Sequence, residues 1–255
     1  MEFSFDFILL ILIGFIAGII NTVAGGGSLL TLPMLIFMGL PSNVANGTNR
    51  IAILIQNFSS GAGFKSKGIT SFPFSLYLGL SAMVGSIIGA YFAAIYVKDA
   101  IFNKILGIVM IIIVVFIVFK PKTSIKELEE RIKGKYFWLA IIIFFFIGIY
   151  GGFIQAGTGI FILLTLSTLN HFTLIKSNAA KTTIVIVYTI ASVAVFAFAG
   201  LINYKYGLIM AIGNASGAWL SSRWAVKKGD GVVKIFLVVI VIAMATKLWF
   251  PNLFS

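Results

Sequence analysis

The sequence predicts an all-α integral membrane protein built from two inverted repeats. Three observations carry that prediction: a composition too apolar for a soluble fold of this size, a chain that repeats itself across one polar linker, and glycine-rich breaks at matching places in the two halves. Of the 255 residues, 60% are hydrophobic and 10% charged, against about 25% charged in ordinary soluble domains. A bilayer accommodates such a surface because lipid replaces water as the solvent of the outer face.

Ten apolar segments follow one another, at 5–24, 28–39, 44–64, 72–96, 101–119, 137–155, 158–170, 178–200, 205–222 and 232–250. A spanning helix needs about 20 residues. The second and seventh segments are too short at about 1.5 Å per residue and read as re-entrant or half-helices, which leaves about eight full spans. No basic region precedes the first segment, whose early charges are Glu2 and Asp6; it reads as a span rather than a removable leader.

Both short segments follow a break, Ala24-Gly25-Gly26-Gly27-Ser28 and Gly157-Thr158-Gly159. Glycine weakens a helix by about 1 kcal/mol relative to alanine, so a run of them interrupts it. The strongly polar stretch Lys120–Lys135 divides the chain into a first repeat at 1–119, a linker at 120–136 and a second repeat at 137–255. Leu29-Leu30-Thr31-Leu32 recurs 134 residues later as Leu163-Leu164-Thr165-Leu166, and the same offset aligns Gly14 with Gly148, Gly18 with Gly152, Gly25 with Gly159 and Thr48 with Thr182. Further on an offset of 132 aligns Gly85 with Gly217.

The formal charge is +12. In a soluble protein that would point to nucleic acid; here the cations sit between apolar runs and act as topology signals and lipid contacts. With the linker placed in the cytoplasm and both termini outside, 14 Lys and Arg fall inside and 4 outside, with Arg50 in a segment. That is the asymmetry the positive-inside rule requires. It makes the first repeat run from outside to inside and the second from inside to outside. Inverted repeats with broken helices are a transporter architecture, with the solute near the midplane.

The chemistry then centres on the breaks. A helix starting inside the membrane presents unpaired N–H groups and a partial positive charge, which an anion satisfies. Gly25, Gly26 and Gly27 remove side chains from its path, or else serve close helix packing. Asn21, Ser28 and Thr31 add polar groups, with Gln155, Thr158 and Thr165 as second-half counterparts. The third segment opens with Asn46-Gly47-Thr48-Asn49-Arg50, matched by Lys181 and Thr182. A guanidinium suits oxyanions, and an intramembrane charge marks a functional site by default; snorkelling to the interface is the competing account of Arg50. Gln56 and Asn57 lie deeper and also suit helix packing.

The acids are Glu2, Asp6, Asp99, Glu127, Glu129, Glu130 and Asp230, and none falls in mid-membrane. That argues against a cation path, and for an anion path, since cation pores and proton relays place carboxylates there. His171 is the sole histidine and reads as an interfacial or packing residue. There is no Cys, so disulfides, thiolate metal sites and Cys nucleophiles are excluded. No catalytic constellation, metal site or cofactor is expected.

The ordered series Gly14-Phe-Ile-Ala-Gly18, Ala24-Gly-Gly-Gly-Ser28, Leu32-Pro33, Gly39-Leu-Pro41 and Ala45-Asn-Gly-Thr48 resembles the N-terminal signature of the TauE/SafE family of sulfite and organosulfonate exporters. Lys67-Gly68-Ile69 and Gly85-x-x-x-Gly89 continue it, and the second-half copy fits the family's duplication. Ser28 departs from it, standing where many members carry a further glycine. The resemblance implies a multi-pass anion transporter of the cell membrane for sulfite, sulfoacetate or related anions, and supplies no ligand set. The expected partners are a small anionic solute and membrane lipids, with homo-oligomerisation open and no nucleic acid. A channel-like pore for ions or water is the alternative.

The charge asymmetry sets the first expected outcome. A cysteine placed at Ser124 in this Cys-free chain should resist an impermeant thiol reagent in intact cells. Rapid labelling there would overturn the assigned sides.

Overall fold

The computed structural model describes residues 5–119 and 129–224, and these form α-helices joined by short turns. In the first half they are α1 (Phe5–Ala24), α2 (Ser28–Phe37), α3 (Ser42–Lys65), α4 (Phe74–Tyr96) and α5 (Asp99–Phe119). In the second they are α6 (Gly134–Phe153), α7 (Thr158–Thr168), α8 (Leu174–Phe198) and α9 (Tyr204–Trp224). Segments read from hydropathy alone match these bounds to within about four residues. The tenth segment and most of the linker lie outside the described residues.

Local chemistry sets the ends. Asp6 and Asp99 sit in the first turns of α1 and α5, where a carboxylate complements the helix dipole. Thr173 caps α8 by accepting from Lys176 N at 3.3 Å. The end of α1 turns through Gly25 at φ +81°, a conformation glycine adopts without strain. The end of α6 turns through Gln155 at φ 57° and Gly157 at φ 72°. Both expected interruptions are therefore present, and α2 and α7, at 10 and 11 residues, are too short to span.

Among the described residues, four helices, α1, α4, α6 and α8, are long and apolar enough to cross a membrane. α3 is also long enough, at 24 residues, but carries Asn46, Asn49, Arg50, Gln56 and Asn57. All five are buried, so its polarity faces the protein and not lipid. The reverse holds on the outer face, where Ile87, Ile88, Ile111, Ile112, Ile142 and Phe146 are exposed. This is the inside-out polarity of a multi-pass membrane protein.

Glycine seams fix how the helices pack. A methyl built at Gly85 or Gly89 of α4 would lie 2.0 Å from the carbonyl oxygens of Phe145 or Ile149 in α6. At Gly213 and Gly217 of α9 the same test meets Ile11 O and Phe15 O of α1 at 2.0 and 2.1 Å. Small residues allow backbones this close, which is how helices associate where lipid offers no hydrophobic drive. The ascending order of these pairs makes α4 parallel to α6 and α9 parallel to α1.

Two further seams extend the pattern. Gly207 packs on Thr48 and Ile51, Ser59 donates to Ala215 O at 2.7 Å, and Gly63 meets Ser222, so α3 is parallel to α9. Gly79 meets Val187, and Ala90 and Ala93 cluster with Phe196, so α4 is parallel to α8. One group is thus α1, α3 and α9, the other α6, α8 and α4. Each takes its last helix from the other half of the chain. The groups meet along α3 and α8, where Gly61 faces Thr182 and Gly47 faces Leu201; these two run antiparallel.

The packing pairs Gly85 with Gly213 as equivalents, not with Gly217 as the sequence alignment had it. The α3–α4 turn is longer than the α8–α9 turn (residues 66–73 against 199–203), and the register shifts to an offset of 128. Lys181 also lies within α8 and is buried, which removes it from the inside loops and leaves that charge asymmetry at 13 to 4.

Gly89→Leu should lose the monodisperse folded species in detergent, because overpacking a tight seam costs about 1–3 kcal/mol or more. Gly61→Ala, whose nearest neighbour would be 3.3 Å away, should change thermal stability by less than about 1 kcal/mol. Equal stability of the two variants would contradict the seam.

Candidate functional site

The two breaks touch. A methyl at Gly25 would lie 2.5 Å from the Gly159 carbonyl carbon, and one at Gly159 would lie 2.5 Å from Gly25 O. Ser28, the first residue of α2, joins them: its hydroxyl donates to Gln155 O at 3.2 Å and accepts from Gly157 N at 3.1 Å. A methyl at Gly27 would meet Ala17 O at 2.1 Å. In this conformation the bare backbone of Gly25 and Gly27 is therefore covered by protein, and Gly26 is buried beside them. Several first-turn N–H groups bond back locally, Leu29 to Gly26 O, Leu30 and Thr31 to Gly27 O, and Ile160 to Gly157 O.

A helix that ends inside the protein leaves carbonyls without partners. For α6 these are taken up by α3: Arg50 donates to Gly151 O at 3.0 Å, Gly152 O at 2.6 Å and Asn46 Oδ1 at 3.1 Å, and Asn46 Nδ2 donates to Phe153 O at 2.8 Å. For α1 they are taken up by α8: Lys181 donates to Asn21 O at 2.6 Å, Thr22 O at 3.2 Å and Asn178 Oδ1 at 2.7 Å, and Asn178 Nδ2 donates to Val23 O at 3.1 Å. Each half thus closes the broken helix of the other with one cation and one asparagine.

The burial of these cations follows from that arrangement. Arg50 is 0% exposed and Lys181 1%, so neither snorkels. Backbone carbonyls at the negative end of a helix dipole offset the cost of burial, and the Phe196 ring lies 4.6 Å from the guanidinium carbon of Arg50. No carboxylate of the described residues joins them: Asp6 and Asp99 start helices, and Glu130 pairs with Lys176 at 2.5 Å.

Between the breaks lies a cavity of about 10 Å³ lined by Asn21, Ser28, Asn57, Gln155, Thr158 and Lys181, with Tyr188 and Ile53. It has room for about one water-sized sphere, less than any oxyanion needs. Gln155 Nε2 donates to Thr189 Oγ1 at 3.4 Å, and Thr158 Oγ1 donates to Gln155 O at 3.0 Å. Gln155 Oε1 has no partner among the described residues.

The remaining sequence-derived residues fall in two places. Thr31 and Asn49 are buried, and their side-chain polar atoms lack partners among the described residues. Thr48 accepts from Asn203 N at 2.8 Å and Thr182 donates to Ala179 O at 2.7 Å, both away from the central cavity. Arg50 stands behind the cavity and Lys181 in its wall. Sequence reasoning missed Asn178 and Tyr188. Asn178 was detectable, because Asn46 precedes Arg50 by one turn as Asn178 precedes Lys181. Nothing in an apolar helix marked Tyr188.

Arg50→Leu should strand the Gly151 and Gly152 carbonyls, at about 1–3 kcal/mol each, and lower the thermal midpoint in detergent. Arg50→Lys should recover part of the loss, since it keeps the charge and forfeits the fork. A wild-type midpoint for Arg50→Leu would remove the capping role.

A family model described as "Sulfite exporter TauE/SafE" matches residues 10–248. A probable membrane transporter protein (ORF9) of Sinorhizobium sp is 31% identical over 234 residues, covering 92% of this chain and 88% of that one. A probable membrane transporter protein of Haemophilus influenzae is 28% identical over 249 residues, covering 97% and 96%. The probable membrane transporter protein YfcA of Escherichia coli K12 is 28% identical over 243 residues, covering 95% and 89%. No solved structure matches the chain.

Proposed function

The chain belongs to the sulfite exporter TauE/SafE family of membrane transporters, and we propose that it carries a small anion, sulfite, a sulfonate or another sulfur-containing anion, outward across the cell membrane. One observation carries the reading. Four helix ends, two positive and two negative, converge on the central cavity, with Lys181 in its wall, Arg50 behind it and no carboxylate among the described residues. The opposed dipole ends offset one another, and the two side-chain charges remain for an anion to balance.

The chain is read as two inverted repeats with about eight spans, both termini outside and the linker in the cytoplasm. The antiparallel course of α3 and α8, and the exchange of α4 and α9 between groups, support this. The solute path is assigned to the breaks, with Asn21, Ser28, Gln155, Thr158 and Lys181 around it. Arg50 and Asn46 act as positioning residues that hold the end of α6. The central cavity is too small for a continuous pore, which favours alternating exposure of the site over a channel.

Purified protein in liposomes should move sulfite or a small sulfonate saturably, with mutual competition and little movement of carboxylates or cations. Non-saturable flux of ions or water would instead indicate a channel, and no flux a structural subunit. Lys181→Gln should raise the apparent KM for the anion roughly 10- to 100-fold, the loss of a charged contact of about 1.5–3 kcal/mol. Arg50→Lys should leave KM near the wild-type value. The opposite pattern would move the site toward Arg50.

A further inference from the structure

The two ends of the α3/α8 pair differ. Where α3 begins and α8 finishes, the pair is packed shut. A methyl at Gly47 would lie 2.1 Å from Leu201 O and 3.0 Å from Phe196 Cδ1, and Asn203 N donates to Thr48. Where α3 finishes and α8 begins, a cavity of about 540 Å³ separates them. Sites that hold small molecules occupy about 300–1,000 Å³, so this space is of solute size and the central one is not.

The walls of this vestibule suit an anion. Lys65 lies in it, Thr182 and Thr183 of α8 and Thr70 and Ser71 of the α3–α4 turn supply hydroxyls, the rest of the wall is largely apolar, and no carboxylate among the described residues lines it. It also adjoins the central cavity on both helices. On α3, Asn57 faces the centre and Gly61, one turn on, faces the vestibule; on α8, Lys181 faces the centre and Thr182 the vestibule. Gly61 and Thr182 stand on the side of the vestibule toward the centre, and a methyl at Gly61 would lie 3.3 Å from Thr182 Oγ1.

We propose that this vestibule loads the anionic solute from the cytoplasmic side, that Gly61 and Thr182 form the inner neck of the path, and that Gly47, Thr48, Leu201 and Asn203 form the closed outer gate of an inward-facing state. The proposal rests on the anion reading above and on the side assigned to Lys65 and Lys67. An exporter must collect its solute from the cytoplasm, and because the central cavity holds about one water-sized sphere, the neck and the centre must widen for the solute to pass inward.

The natural absence of cysteine supplies the test. Thr183→Cys and, as a second position, Ile186→Cys on the same wall should react with an impermeant thiol reagent in inside-out vesicles at least tenfold faster than in intact cells. Isethionate, a small organosulfonate, should slow the reaction at least fivefold. Gly61→Leu should reduce flux more than tenfold while cytoplasmic labelling of Thr183→Cys persists. Faster labelling from outside, or from neither side at both positions, overturns the vestibule. Sided labelling that isethionate does not slow, in a protein that transports isethionate, overturns loading alone. Absence of any anion flux in the wild type overturns the anion reading, while sidedness is still read from the label.

Discussion

The closure of two broken helices by side chains from the opposite half is the constraint on which the rest of this structure depends. Helix α1 stops at Ala24 and α6 at Phe153, inside the protein, and each leaves carbonyls that water cannot reach. Unsatisfied groups in such surroundings cost several kcal/mol each. Lys181 with Asn178 and Arg50 with Asn46 remove that cost, and in doing so they bring two cations to the centre of an apolar molecule. The breaks create the need for the cations, and the cations make the breaks tolerable. Neither is stable alone, which is why they occur twice, in reciprocal positions.

The same reciprocity governs packing. The caps cross from one half to the other, and so do α4 and α9, seated by glycine seams that let backbone meet backbone. Lipid contributes no hydrophobic force between helices, so close contact and hydrogen bonding carry association. Ser28 adds one more crossing at the midpoint, where it bonds to Gln155 and Gly157. Separating the halves would therefore strand carbonyls and open the seams together.

That geometry relates the closed centre to the open vestibule. A transporter exposes its site to one side at a time, and the proposed gates at the two ends of the antiparallel α3/α8 pair would provide this. Gly47 against Leu201 and Gly61 beside Thr182 lie toward opposite ends of the α3/α8 pair. The first contact is tight, at 2.1 Å from a methyl built at the glycine, and the second looser, at 3.3 Å, a difference that suits the proposed exposure to one side at a time. Lys181 lines the central cavity and Arg50 does not, although the sequence marks Arg50 as the stronger candidate.

The sequence by itself determined the helical membrane class, the number and near-bounds of the segments in the described residues, the two breaks and the family. Periodic apolar runs and glycine clusters are local signals, and lipid removes most of the tertiary override that blurs such signals in soluble folds. It also singled out Arg50 and Lys181, because charges in apolar runs are conspicuous. Only the tertiary structure decided what they hold. A capping bond depends on which helix end lies nearby, and the ends in question are about 100 and 160 residues away in the chain. The same holds for Gly25 and Gly27, whose missing side chains make room for Gly159 and Ala17, and for Asn178, whose role exists only opposite the end of α1. Spacing along a chain records what a helix can present; the partner it presents to is a property of the packed molecule.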